Sequence, residues 1–206
     1  MILSSLLIAA HVLAQTISGP VTISGPSTVG GTAAASPYTC GEPTSSGATL
    51  QASVQNIQLF TPCTTGTDAS GFTLSHLYVY VGTSSGKLYA AIYNDTTSGC
   101  DGQAHCPSTP LCSDTTGITP TGSAFNEDTP TGCGVFPAST SFWIAFVPDN
   151  NTLQVGYQAS NCPAPLAFTS TSQYNVGATA GVWPNVTGDT GTGGGCYVAY
   201  MVLTPQ

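Results

Sequence analysis

The sequence predicts an all-β protein, a single β-sandwich or jelly roll with disulfide-stapled loops and an extended N-terminal segment. Three observations lead there. Runs rich in aromatic and β-branched residues recur along the chain, and the stretches between them are dense in Gly, Pro, Asn, Asp, Ser and Thr. Helical spacing with caps is absent after the first residues. Eight cysteines supply covalent staples.

The elements follow in chain order. Residues 1–14, MILSSLLIAAHVLA, form an apolar run ending in small and branched residues, the pattern of a secretory signal peptide cut before Gln15. That run is too short to span a bilayer, and no later one reaches about 18 apolar residues, so no membrane span is expected. Residues 15–36 form the extended segment, in which TISGPVTISGPSTVGGT, from Thr16, recurs loosely every six residues. Six-residue recurrence keeps strand parity, so Ile17, Val21, Ile23 and Val29 share one face, while Pro20 and Pro26 bar central-strand pairing at their own positions. Residues 37–206 form the sandwich domain. In it, FTLSHLYVYVG alternates so that Leu77, Val79 and Val81 face one side and His76, Tyr78 and Tyr80 the other. A short SSG turn leads to KLYAAIYND, which predicts a hairpin. SFWIAFVPD, from Ser141, and CYVAYMVL, from Cys196, are the two other strong strands.

Composition excludes whole classes of function. Charged residues make up 5% of the chain, against about a quarter in a typical soluble domain. Lys87 is the sole base and the net charge is −8. Nucleic acid and anionic membranes are therefore excluded as partners, because both need several Lys or Arg. Few ion pairs are available to titrate, which predicts tolerance of acid. Solubility falls to Ser, Thr, Asn, Gly and glycans, with N-glycosylation sequons at Asn94, Asn150 and Asn185.

Cys40, Cys63, Cys100, Cys106, Cys112, Cys133, Cys162 and Cys196 suffice for four disulfides in a secreted chain, in a connectivity that sequence leaves open. Three of them share the stretch CDGQAHCPSTPLC with His105, where Pro and Gly predict an irregular loop. Paired CxxC spacing is absent, so bridges and not a metal site are expected, and no cofactor is predicted.

No enzyme is expected either. No two carboxylates are spaced as a glycosidase pair, and the neighbours Glu127 and Asp128 read as an exposed turn. A G-x-S-x-G elbow is missing, and His76, in a strand, reads as a surface or satisfied histidine. A cut after Ala10 would place His11 at the N-terminus and invite a copper brace with His76 or His105, but Ala14 is the better peptidase site. The alternative to a structural role is a secreted, non-catalytic carbohydrate-binding module, with polysaccharide as partner. Tyr78, Tyr80, Tyr89, Tyr93, Trp143 and Trp183 are the rings available to stack on sugars. Most are expected in core or cross-strand pairs. Trp183, in the loop phrase GVWPNVTG, is the prime candidate.

From Phe72 onward, the order LYVYVG, LYAAIYND, FWIAFVPDNNTLQVGY, GVWPNVTG, CYVAYMVL resembles the jelly-roll β-sandwich modules appended to secreted bacterial and archaeal surface proteins. Phe142, Trp143, Ile144, Ala145, Phe146 and Asp149 match a strand phrase of such modules, and Trp183-Pro184 matches a late one. The resemblance covers about two thirds of the chain and implies a non-catalytic accessory or surface role; the Cys-rich stretch after Asn94 departs from it.

Ile17, Val21, Ile23 and Val29 cannot be buried by their own segment. One outlet is strand addition, in which the extension completes a sheet of the next copy and links copies into a head-to-tail homopolymer. In its organisation the chain is similar to donor-strand, thread-like pilus subunits, which are secreted, low-charge, glycosylated sandwiches with an N-terminal tail. The resemblance implies an extracellular structural protein, a subunit of a cell-surface filament or pilus.

Overall fold

A computed structural model of the chain describes residues 36–53, 55–100, 102–159, 162, 168–173, 183–186 and 195–206. The chain divides into two units, Met1–Ala34 and Ala35–Gln206, and all described residues lie in the second. The signal-peptide expectation and most of the extended segment, with Ile17, Val21, Ile23 and Val29, lie outside the described residues.

The strands, in order, are β1 (Tyr38–Gly41), β2 (Thr49–Ala52), β3 (Ile57–Thr64), β4 (Phe72–Thr83), β5 (Leu88–Thr96), β6 (Cys106–Ser113) and β7 (Ala124–Asp128). They continue with β8 (Val135–Phe136), β9 (Ser141–Pro148), β10 (Gln154–Gln158), β11 (Phe168–Gln173), β12 (Cys196–Tyr197) and β13 (Ala199–Pro205). Sheet A runs β1-β13-β4-β10-β12, with β2 added to β10 and with β7 and β8 on the other side of β4. Sheet B runs β11-β3-β9-β5-β6. The skeleton is therefore β1-β13-β4-β7 facing β3-β9-β5-β6, in which first and last strands are neighbours and the chain repeatedly crosses between sheets. That is the double Greek key of a jelly roll.

Burial explains why each run became a strand. In β4, Leu77, Val79 and Val81 are fully buried between the sheets, as alternation predicted, and His76, Tyr78 and Tyr80 point outward. A register shift opposite Val202 and Leu203 changes the parity, which lets Phe72 turn inward at the start of the same strand. Sheet B differs. In β5, Leu88, Ala90 and Ile92 enter the core between the sheets, while Tyr89, Ala91 and Tyr93 join a second apolar cluster on the opposite face. In β9, Phe142, Ile144 and Phe146 are divided in the same way from Trp143, Ala145 and Val147. A strand covered on both faces reads as a continuous apolar run, the pattern seen in LYAAIY and FWIAFV. The covering on the second face includes Cys100, Cys106, Trp183 and Val186.

Three local expectations are corrected. The hairpin across SSG does not form: β4 belongs to sheet A and β5 to sheet B, so the connection arches between sheets. A two-sided apolar run such as LYAAIY gains more by entering the doubly covered sheet than by pairing with its predecessor. The stretch from Cys106 to Ser113 is strand β6 and not irregular loop, because an edge strand tolerates Pro107 and Pro110. Glu127 and Asp128 close strand β7 and are not an exposed turn. Their register opposite Tyr78 and Leu77 sends Glu127 to solvent and Asp128 to the core, where it is 2% exposed.

Candidate functional site

The first strand after the N-terminal extension in sequence is β1, at the end of the sheet A order. Among the described residues it pairs only with β13, from Tyr38↔Leu203 to Gly41↔Tyr200. Gly41 adopts a positive φ of 101°, and a Cβ there would stand 2.5 Å from the Ala199 carbonyl, so glycine lets the strand turn tightly against β13. The Glu42 N–H then donates to the same carbonyl at 2.7 Å.

Across the gap between the sheets, Cys40 of β1 is bonded to Cys63 of β3. Beside this bridge lies an open cleft of ≈ 310 Å³, lined by Tyr38, Thr39, Cys40, Gly41, Pro62, Cys63 and Thr64. The Tyr38 ring is 36% exposed, packs 5.7 Å from Phe72, and donates its hydroxyl hydrogen to the Thr64 carbonyl at 3.1 Å. Pro62 lacks an N–H, so β3 offers an interrupted edge here, whereas β1 keeps its outward backbone groups. In sequence, β1 follows the extension, and it is hydrogen-bonded to one sheet and covalently bonded to the other.

All eight cysteines form bridges: Cys40–Cys63, Cys100–Cys106, Cys112–Cys133 and Cys162–Cys196. Four closed disulfides belong to an oxidising, extracytoplasmic compartment. The thiols near His105 are therefore not metal ligands, and among the described residues no group of three or more His, Cys, Asp or Glu is placed to hold a metal. His105 instead meets Asp95, Nδ1 to Oδ2 at 2.6 Å, while the other carboxylate oxygen accepts the Trp143 indole N–H at 2.8 Å. The pair ties the Cys100–Cys106 loop onto β5, a structural role that no spacing in the sequence discloses.

Trp183 does not stand on an open surface. It is 6% exposed, stands edge-on to Tyr93 at 6.2 Å and donates its indole N–H to the Asp114 carbonyl at 3.0 Å. The Tyr93 hydroxyl donates to the Pro184 carbonyl at 2.8 Å, and the Val186 N–H to the Ser108 carbonyl at 2.9 Å. Residues 183–186 therefore cap the outer face of sheet B, and Tyr89, Tyr93 and Trp143 are buried beneath such coverings. Of the rings available to stack on sugars, Tyr78 and Tyr80 alone keep part of their surface, on the outer face of sheet A. The structure adds Phe125 and Tyr200 beside them, which sequence reasoning missed because their neighbours come from β7 and β13.

The sequon residues differ in access. Asn185 is exposed. Asn94 donates from Nδ2 to the Thr109 hydroxyl at 3.1 Å, and Asn150 donates from Nδ2 to the Ser85 carbonyl at 2.7 Å and to Asp149 at 2.8 Å.

No family model matches the chain, and no curated protein matches it in sequence. Among solved structures, it is similar to the cysteine protease and lectin-like domains of Cwp84, a surface layer associated protein of Clostridium difficile, with a TM-score of 0.43 and 11% sequence identity. That similarity covers 73% of this chain and 32% of the other, so the chain spans about a third of that structure's length.

Proposed function

We propose that this is an extracellular structural protein, the subunit of a surface filament in which the N-terminal extension of one copy adds as a strand to the next. The observation that carries the reading is the attachment of the extension to β1. Tension in a tail joined to β1 acts along the β1–β13 pairing, in a shear direction that loads its hydrogen bonds together, and passes through Cys40–Cys63 into sheet B. Both sheets then share the load. A chain poor in charge and closed by four disulfides suits a particle that has to persist outside the cell.

The receiving surface in this reading is the seam between β1 and β3, where the open cleft exposes backbone at a sheet edge. The apolar face of Ile17, Val21, Ile23 and Val29 supplies about 2 kcal/mol per fully buried side chain, and backbone pairing to the edge supplies register. A contact between the tail of one copy and the body of another is heterologous and does not close, so it builds a filament. The reading of the chain as a carbohydrate-binding module acting through Trp183 loses its residue to burial.

Electron microscopy of the secreted protein beside a variant lacking residues 15–32 tests the proposal. Long filaments from the full-length chain and isolated particles from the variant are expected. Isolated particles from both would overturn it, and filaments from both would move the contact elsewhere. Ile23→Asp, which leaves length and backbone intact, is expected to shorten or abolish the filaments as well.

A further inference from the structure

Sheet B is covered on both faces, but the outer face of sheet A is partly open, and it carries a row of aromatic rings. Tyr80 meets Phe125 at 5.3 Å, Phe125 meets Tyr200 at 5.2 Å, and Tyr200 stacks on Tyr78 at 5.0 Å with 29° between the ring planes. His76 stacks on Tyr78 in turn at 5.8 Å. Phe125 and Tyr200 stand on the two strands that flank β4, so their contact requires both rings to lean over that strand. Tyr80 leans too: a Cβ at Gly156 would come within 2.9 Å of its ring, so the glycine of β10 leaves the room for the ring to lie over the strand. The side chains form a low aromatic floor on the sheet.

At one end of that floor stands Glu127. Its carboxylate accepts from His76 Nδ1 at 2.7 Å and from the Tyr78 hydroxyl at 3.2 Å, and its side chain remains 46% exposed. We infer that this face binds a neutral polysaccharide chain, with sugar rings laid on Tyr200, Phe125 and Tyr80 and hydroxyls donated to Glu127. The chemistry selects the ligand. Sugar rings present C–H groups to aromatic faces and hydroxyls to carboxylates, and both partners are present side by side. An apolar protein surface would strip water from the half-exposed Glu127–His76 pair and offer no polar group in its place, at a desolvation cost. Acidic polymers meet a carboxylate, no Lys or Arg from the row, and a protein of net charge −8. An open, flat face holds a run of a polymer better than it holds one small sugar.

This face adjoins the β1–β3 seam where Tyr200 pairs with Gly41, but the test reads polysaccharide binding and not filament formation, so the two readings can fail separately. The test is affinity electrophoresis of the full chain in gels containing laminarin, mannan or hydroxyethylcellulose, with polygalacturonate as the acidic control. Retardation by at least one neutral polymer and none by polygalacturonate is expected. Tyr200→Ala is expected to weaken the retardation by about fivefold, the loss of one aromatic stacking contact, while Tyr200→Phe keeps it. Tyr80→Ala serves as the second variant, and a thermal melt of each protein checks that it folds. Absence of retardation in all three neutral gels overturns the inference, as does equal retardation of wild type and both alanine variants. Self-association that disappears in Tyr200→Ala would assign the face to a second copy instead and overturn it too.

Discussion

Asp128 makes an unusual prediction about pH. Its carboxyl is 2% exposed, one oxygen accepts the Thr129 N–H at 2.6 Å, and the other has no hydrogen-bond partner among the described residues. Burial, reinforced by the Asp114 carboxylate beside it, pushes its pKa from 3.8 up to about 7. A group whose pKa is raised by folding stabilises the fold fully below its unfolded value, and that stability is lost as pH rises through the folded value. The protein is therefore expected to be most stable below about pH 4 and to weaken between about pH 4 and 7. A displacement of about three pKa units corresponds to about 4 kcal/mol at 1.36 kcal/mol each, or on the order of 10 °C in Tm for a domain of this size. Glu127 tilts the other way, because the His76 hydrogen bond holds its pKa down, but its exposure to solvent screens the effect. The assay is thermal unfolding from pH 3 to 8 for the wild type and Asp128→Asn. The variant cannot ionise at this position, so its profile should be nearly flat and its Tm at pH 8 should exceed that of the wild type. A wild-type Tm that falls on acidification, or an Asp128→Asn profile with the wild-type slope, refutes the reasoning.

Other consequences follow from named contacts. Replacing Cys40 and Cys63 together by Ala opens a loop of 23 residues and should cost about 3 kcal/mol in denaturant unfolding; in force spectroscopy the tail should then detach before the sandwich unfolds. Trp183→Ala should cost about 3–5 kcal/mol as a buried-ring deletion while leaving polysaccharide retardation unchanged; equal stability would contradict its burial. Trp183→Phe, which removes the indole donor from the Asp114 carbonyl, should cost about 1 kcal/mol. Expression in a glycosylating host followed by peptide mass spectrometry should find the exposed Asn185 occupied more fully than the half-buried Asn150.

The strands were legible wherever one residue type dominated the local physics. Leu77, Val79 and Val81 alternate with polar-tipped neighbours, and that period alone places them in the core. FWIAFV and LYAAIY were legible as strands, but their partners were not: a run buried on both faces carries no parity to say which face meets which sheet. This is why β4 and β5 resembled a hairpin and instead lie in opposite sheets. Trp183 misled for a related reason. A Gly- and Pro-flanked loop reads as surface, yet its distant contacts with Tyr93 and Asp114 bury it. Phe125 and Tyr200 belong to one cluster only because β7 and β13 flank β4, an adjacency set by the Greek-key crossing and invisible to local pattern. Disulfide partners are long-range pairs of the same kind.

The two sheets divide the work of the fold. Sheet B is sealed twice, by the main core and by the cap of the Cys100–Cys106 loop and residues 183–186, so it can vary little on either face without opening a cavity. Among the described residues, sheet A has one sealed face, and its other face and its β1 edge are not covered. Both proposed interaction surfaces therefore fall on sheet A: the edge strand β1 for another chain, and the aromatic floor of Tyr80, Phe125 and Tyr200 for a polymer of sugars. The disulfide between Cys40 and Cys63 ties the exposed edge of the first sheet to the sealed body of the second, so a load or a ligand taken up by sheet A is borne by the whole sandwich.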